Sequence, residues 1–238
     1  MDKFIEEIAF RERLHVFKDR TEAGRLLAEK LRKYEKSRGI AFGIPSGGVP
    51  VASEISDALG LPMDILIVRK IQIPGNPEAG FGAVGPDGEV IFNERLLGYL
   101  GLTEDQVRIQ VEKTLANIEK RNVLFRSGKS YPPLTGKTVI VADDGLASGY
   151  TMLAAVKFIR KKVAGKIIVA VPTGSRATID LVLPEVDEIV CLNTRRGSPF
   201  AVADAYRNWY DLSEKEVLGI LRKHNLRRGK TKETDRKK

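Results

Sequence analysis

Two adjacent carboxylates close an apolar run. In residues 138–151 (TVIVADDGLASGYT) aliphatic positions lead into Asp143 and Asp144; Ala147, Ser148, Gly149, Tyr150 and Thr151 follow, and a helical pattern begins. A glycine and two hydroxyl residues ahead of a helix suit a phosphate: free N–H groups and the positive end of the helix dipole face the anion, and Gly149 lets the backbone approach it. The two acids cannot hold phosphate. They suit a neighbouring diol, whose hydroxyl protons they accept, or a Mg²⁺ ion. The motif thus asks for a ligand with a phosphate at one end and a ribose diol beside it. An ordinary strand, turn and capped helix would show the same residue types, but tandem acids at the end of a buried strand are costly without a task.

A second loop, Ser46, Gly47 and Gly48, also joins an apolar strand to a helix. Consecutive glycines there point backbone N–H groups at an anion, although Pro-Ser-Gly-Gly also makes a plain turn. Arg69 and Lys70 end the next apolar strand. They serve either as cations over a leaving group or as a solvated strand end. Residues 71–82 are rich in Gly and Pro and read as a loop. Residues 80–85 fit G-x-G-x-x-G but lead into a turn and a strand, not a helix, so the dinucleotide-binding fingerprint is rejected.

The elements that must position these residues alternate. Strands are expected at residues 40–45, 64–71, 89–93, 138–142, 166–171 and 188–192, and helices at 49–59, 103–125, 151–163 and 176–183. Thr103 with Gln106 forms a capping box at the head of the longest helix. Strands of consecutive Val and Ile imply burial on both faces, hence an α/β fold with a parallel sheet flanked by helices.

The chain has 238 residues, 42% of them hydrophobic, and its two histidines and one cysteine (Cys191) leave little for a zinc site or a disulfide framework. No apolar run is long enough to span a bilayer and the start carries three acids, so a cytoplasmic protein without membrane contact is expected. Of the net charge of +9, residues 221–238 hold +7. They read as a disordered basic tail after a domain over residues 1–220; the tail either solubilises or touches nucleic acid.

Residues 138–151 resemble the diphosphoribosyl-binding motif of type I phosphoribosyltransferases. The runs 17–25, 68–78 and 200–206 look like a group of prokaryotic members without a settled acceptor. The resemblance implies the fold of that family with a helical or hood addition. It implies 5-phosphoribosyl-1-diphosphate as donor, Mg²⁺ as cofactor, a nucleobase-like acceptor, and room for a homodimer. Asp143 and Asp144 would hold the ribose hydroxyls and the metal. Residues 147–151 would wrap the 5-phosphate, Ser46 to Gly48 and Arg69 with Lys70 would meet the diphosphate, and residues 71–82 would be a mobile loop. In 6-oxopurine-specific relatives an acid stands where this chain has Ala147, which argues against hypoxanthine or guanine as acceptor. Tyr206 and Trp209 either stack on a flat base or pack in the core. Three functions stay open: ribosyl transfer, a non-catalytic sensor of the donor or a nucleotide, and a hydrolase or phosphorylase of a ribose phosphate.

Overall fold

The aliphatic runs form a sheet, and the sheet sets where the loops between them open. In the computed structural model, which describes residues 3–197 and 199–235 and the side chains of the last helix as far as 226, the first half of the chain contains β1 (Phe4–Ile5), α1 (Arg20–Lys30), β2 (Gly39–Gly43), α2 (Gly48–Leu59), β3 (Met63–Ile65), β4 (Arg69–Ile73), β5 (Asn76–Val84), β6 (Val90–Phe92), α3 (Glu94–Leu100) and α4 (Glu104–Arg126). The second half adds β7 (Thr138–Ala142), α5 (Tyr150–Lys161), β8 (Lys166–Ser175), α6 (Arg176–Val182), β9 (Glu188–Arg195) and α7 (Glu214–Asp235).

Six strands pair in the order β1-β9-β8-β7-β2-β3, and each pairing is parallel. Their side chains alternate between two layers. Val139, Val141, Ile167 and Val169 pack beneath α5 and α6 with Met152, Val156 and Ile179. Ile140, Ala142, Ile168 and Ala170 face α1 and α2 with Leu27, Val51 and Ile55. Burial on both faces is what the unbroken Val/Ile runs imply. The register pairs Phe42 with Val141 and Gly43 with Ala142. The loops after β2 and β7 therefore leave neighbouring strands at the same height.

The remaining core is built differently. β4, β5 and β6 form an antiparallel three-stranded sheet, and its Ile71 and Phe81 pack with Ile118 and Phe125 of α4 and Val217 of α7. The sequence reading has one strand over residues 64–71, whereas the chain leaves the parallel sheet after Ile65, with Leu66 still donating to the Gly43 carbonyl at 3.0 Å. It re-pairs at Arg69 opposite Val84. Arg69 and Lys70 thus start a strand and do not end one. Residues 76–82, read as loop, belong to β5. Their glycines mark close strand approach: a Cβ on Gly82 would lie 2.5 Å from the Ile91 carbonyl oxygen, and one on Gly80 would lie 2.9 Å from that of Ile71.

The long helix matches its reading, capping box included. The boundary expected at 220/221 falls inside α7. Leu221 packs on the third core cluster, and His224, 3% exposed, holds Asp57 of α2 through Nδ1 at 2.9 Å. The expectation of disorder thus meets a helical backbone from Glu214 to Asp235, while residues 236–238 lie outside the described ones. No helix among the described residues is long and apolar enough to cross a membrane.

Candidate active site

The level ends of β2 and β7 bring the two loops of the sequence reading into contact. Gly47 lies so close to Asp144 that a Cβ would stand 1.8 Å from its Oδ2, and a Cβ on Gly48 would stand 2.4 Å from the Ala142 carbonyl oxygen. Neither glycine has a positive φ. Their requirement is steric: the loop presses on the paired acids, and no side chain fits between. The Gly48 amide is spent inside the loop on the Ile44 carbonyl (2.9 Å), and Val49 donates to Ser46 (3.3 Å), so only the Ser46 and Gly47 amides remain for an anion.

The helix starts around this point differ from the others. α1, α3, α4 and α6 are each capped by a side chain, from Asp19, Asn93, Thr103 and Ser175. α2 and α5 begin after Gly47 and Gly149 with no side-chain cap; in α5 this leaves the first-turn N–H groups open, whereas α2 spends those of Gly48 and Val49 within its loop and has Pro50 next, so its open amides are those of Ser46 and Gly47. Ala147 and Ser148 are exposed, and the amides of Ala147, Ser148 and Gly149 make no hydrogen bond among the described residues. The loop is nevertheless fixed from behind: Leu146 donates to Thr173 (2.9 Å), and the Thr178 hydroxyl donates to the Ala147 carbonyl. Gly149, at φ 81°, takes a left-handed turn that favours glycine, and a Cβ there would meet Thr178 Cγ2 at 2.7 Å. Two uncapped helix ends with a diacid between them can hold a ligand carrying an anion at each end and hydroxyls in the middle.

The acids are held from a third direction. Arg20, the first residue of α1 and 6% exposed, donates from Nε to Asp144 Oδ2 at 2.8 Å and from Nη1 to the Tyr210 carbonyl at 2.9 Å. Its guanidinium lies 3.9 Å from the Trp209 ring centroid. The Tyr206 hydroxyl donates to the Asp144 carbonyl at 2.7 Å. Burial pushes that hydroxyl well above its ordinary pKa, so it remains a donor.

A family model described as phosphoribosyl transferase domain matches residues 18–207 of this chain. The chain belongs to the phosphoribosyltransferase family. Two curated proteins of Mycobacterium tuberculosis, from strains CDC 1551 and H37Rv and provisionally named as phosphoribosyl transferases, are each 37% identical over 208 residues, 87% of this chain and 47% of their own length. The chain thus spans about half the length of the curated relatives it matches. The crystal structure of TT1426 from Thermus thermophilus is similar over 86% of this chain and 97% of that one, at 32% identity and a TM-score of 0.68.

For a phosphoribosyltransferase the electrostatics of the acid pair matter most. Burial, then the charge of Asp144, push the Asp143 carboxyl well above the usual range. Asp144 has the Arg20 guanidinium on one oxygen. No group of three or more His, Cys, Asp or Glu gathers among the described residues. Two carboxylates, one already engaged, do not make a cage for a resident metal. They fit the usual mode for Mg²⁺, in which one or two protein carboxylates share the ion with ligand phosphates.

The structure brings Ser46, Gly47 and Gly48 to Asp143 and Asp144, and the loop from Ala147 to Gly149 rises from the same strand end. Tyr150 turns part of its ring into the core, and Thr151 is half-buried in the first turn of α5. Arg69 and Lys70 stand apart on β4 and make no hydrogen bond or ion pair with either loop. Tyr206 is 2% exposed and packs against Phe17, so its ring cannot stack on a base. Trp209 covers Arg20. Arg20 lies in the run 17–25 that looks like the family group, but the sequence assigned it no role, since its partner is 124 positions away. Only an acid pair in need of a cation hints at it.

Proposed function

We propose that this chain transfers the 5-phosphoribosyl group from 5-phosphoribosyl-1-diphosphate to a nitrogen acceptor of nucleobase type, with release of pyrophosphate. The carrying observation is the placement of Asp143 and Asp144 between two uncapped helix N-termini. The 5-phosphate sits on the open amides from Ala147 to Gly149 and the hydroxyls of Ser148 and Thr151. The ribose hydroxyls meet the acids. Asp144 accepts from one hydroxyl with the oxygen that Arg20 leaves free, and Asp143 stands beside it on the same strand end. The diphosphate faces the Ser46 and Gly47 amides. Mg²⁺, when bound with the donor at these acids, offsets the charge of the departing diphosphate. The protein contributes orientation and fixed dipoles more than covalent chemistry.

Pyrophosphate release, screened against purines, pyrimidines and orotate with donor and Mg²⁺, tests the reading. Asp144→Asn, which loses a charged acceptor, is expected to lower kcat/KM by roughly 1.5–3 kcal/mol, with part of the loss in kcat; Ser148→Ala, which loses one neutral donor, is expected to cost about 1 kcal/mol, mainly in donor KM. Wild-type kinetics for Asp144→Asn would remove the site from the reaction.

A further inference from the structure

Beside the apolar stripe that packs on the small sheet, α4 turns a second, polar stripe toward β4. A cavity of about 230 Å³ opens between them, with Arg69, Lys70 and Gln72 on the strand side and Gln110, Lys113 and Asn117 on the helix side. Arg121 follows one turn beyond Asn117, near enough to Arg69 that the two guanidiniums repel. The side chains of Arg69 and Lys113 make no hydrogen bond or ion pair among the described residues, and Lys70 spends one donor on the Glu78 carbonyl. The Asn117 Oδ1 and one terminal nitrogen of Arg121 are buried without a hydrogen-bond partner. Burial pushes Arg69 and Arg121 below their ordinary pKa. Glu78 and Glu214 act on Lys70 and Arg121 only across space. A half-buried cation is normally matched by an acid, and buried donors are normally bonded. Three cations line this small cavity and Arg121 stands one helical turn beyond its Asn117; burial acts on Arg69, Lys70 and Arg121, and the group meets neither condition.

We propose that this cavity is an oxyanion-binding site, for a group of the phosphate or diphosphate class, and that Lys113, Asn117 and Arg121 of α4 form its recognition wall. Lys70 and Lys113 approach from the rim and give the site its reach into solvent. Arg69 and Arg121 sit deeper, and a ligand that supplied oxygens to both would satisfy their open donors while relieving their mutual repulsion. Asn117 can orient its amide nitrogen toward the same anion. The inference rests on the transferase reading only for the source of the anion: the donor's own diphosphate, or a separate acidic ligand. The pocket chemistry is the same for both.

Calorimetric titration of the full chain with pyrophosphate in the absence of metal tests the site. Binding is expected to weaken with rising salt. It should fall about tenfold or more in Arg121→Gln and in Lys113→Gln, since each loses a charge-assisted contact. Lys113 is exposed, so its variant reports even if the Arg121 change disturbs folding. Competition by 5-phosphoribosyl-1-diphosphate but not by ribose 5-phosphate assigns the anion to the donor; binding that neither displaces assigns it to a second ligand. Equal pyrophosphate affinity in wild type, Lys113→Gln and Arg121→Gln overturns the proposal. Retained pyrophosphate binding through these residues with no turnover on any acceptor would overturn the transferase reading and leave the pocket standing.

Discussion

Asp144 is held by contacts from three parts of the chain: Gly47 against its carboxylate, Arg20 on its Oδ2, and Tyr206 on its carbonyl. Gly47→Ala is expected to push the carboxylate off Arg20 and cost about 1.5–3 kcal/mol, the range of a hydrogen bond to a charged group. Denaturant melts would show this, together with loss of donor-dependent stabilisation; a silent substitution would mean that the loop yields instead. Asp143 makes a prediction about pH. In the unfolded chain its carboxyl loses its proton near the ordinary value of 3.8, whereas in the native protein burial and Asp144 hold the proton to higher pH. Across that window the native state binds more protons, so rising pH drains stability. Asp143→Asn, which cannot ionise, is expected to gain on wild type as pH rises above 3.8 in urea midpoints measured between pH 4 and 8. A constant difference, or one of opposite slope, would contradict the assignment. The acid pair was legible because strand, acids and loop are contiguous. Arg20 was not, because only the packing of α1 against the sheet brings it there.

Local signals explain which elements were readable. α4 announced itself by its capping box and by apolar spacing that includes Val107, Val111 and Ile118, all within one segment. β5 did not, since its Pro77, Gly80 and Gly82 imitate a loop; the two glycines are needed because neighbouring backbones pass too close for a Cβ. The break between β3 and β4 was hidden for a related reason. Residues 64–71 stay extended and apolar while they change partners, and local pattern carries no pairing information. What anchors α4 is likewise a distant contact: Arg126, at its last turn, grips Asp64 of β3 through Nε (3.1 Å) and Nη2 (2.7 Å) and lies 3.7 Å from the Tyr131 ring centroid. The Arg126 side chain is 4% exposed and that of Asp64 26%. Asp64→Asn strips a buried guanidinium of its charge partner. The expected cost is roughly 2 kcal/mol, below the full buried-pair range because Asp64 is partly solvated. Chemical denaturation checks it, and a change under about 0.5 kcal/mol, the level of ordinary surface substitutions, would show that α4 is held by its apolar face alone.

At the scale of the molecule, the polar composition of the C-terminal stretch concealed a second role. Val217, Leu221 and His224 recur at helical spacing, but the surrounding Lys and Arg outweigh them in any composition-based reading. Val217 is fully buried and Leu221 packs beside it on the core shared by the small sheet and α4, while His224 reaches α2 at Ser56 and Asp57. α7 therefore ties the parallel-sheet layer to the small sheet that presents Arg69. Two truncations separate packing from charge. A chain ending at Ser213 loses the burial of Val217, worth about 1.5–3 kcal/mol, and the partial burial of Leu221, and is expected to melt at least roughly 3–6 °C lower. It should also lose pyrophosphate affinity, because Ile71 and Ile118 lose cover on the core that joins β4 to α4. A chain ending at Leu226 keeps these contacts and removes only polar and charged residues and one glycine. It is expected to melt with the full chain and to keep turnover, while any salt-dependent affinity for nucleic acid falls with the lost positive charge. If the longer deletion melted with the full chain, the packing of α7 would contribute nothing to stability. If the shorter deletion abolished turnover, residues 227–238 would belong to the reaction and not to the surface.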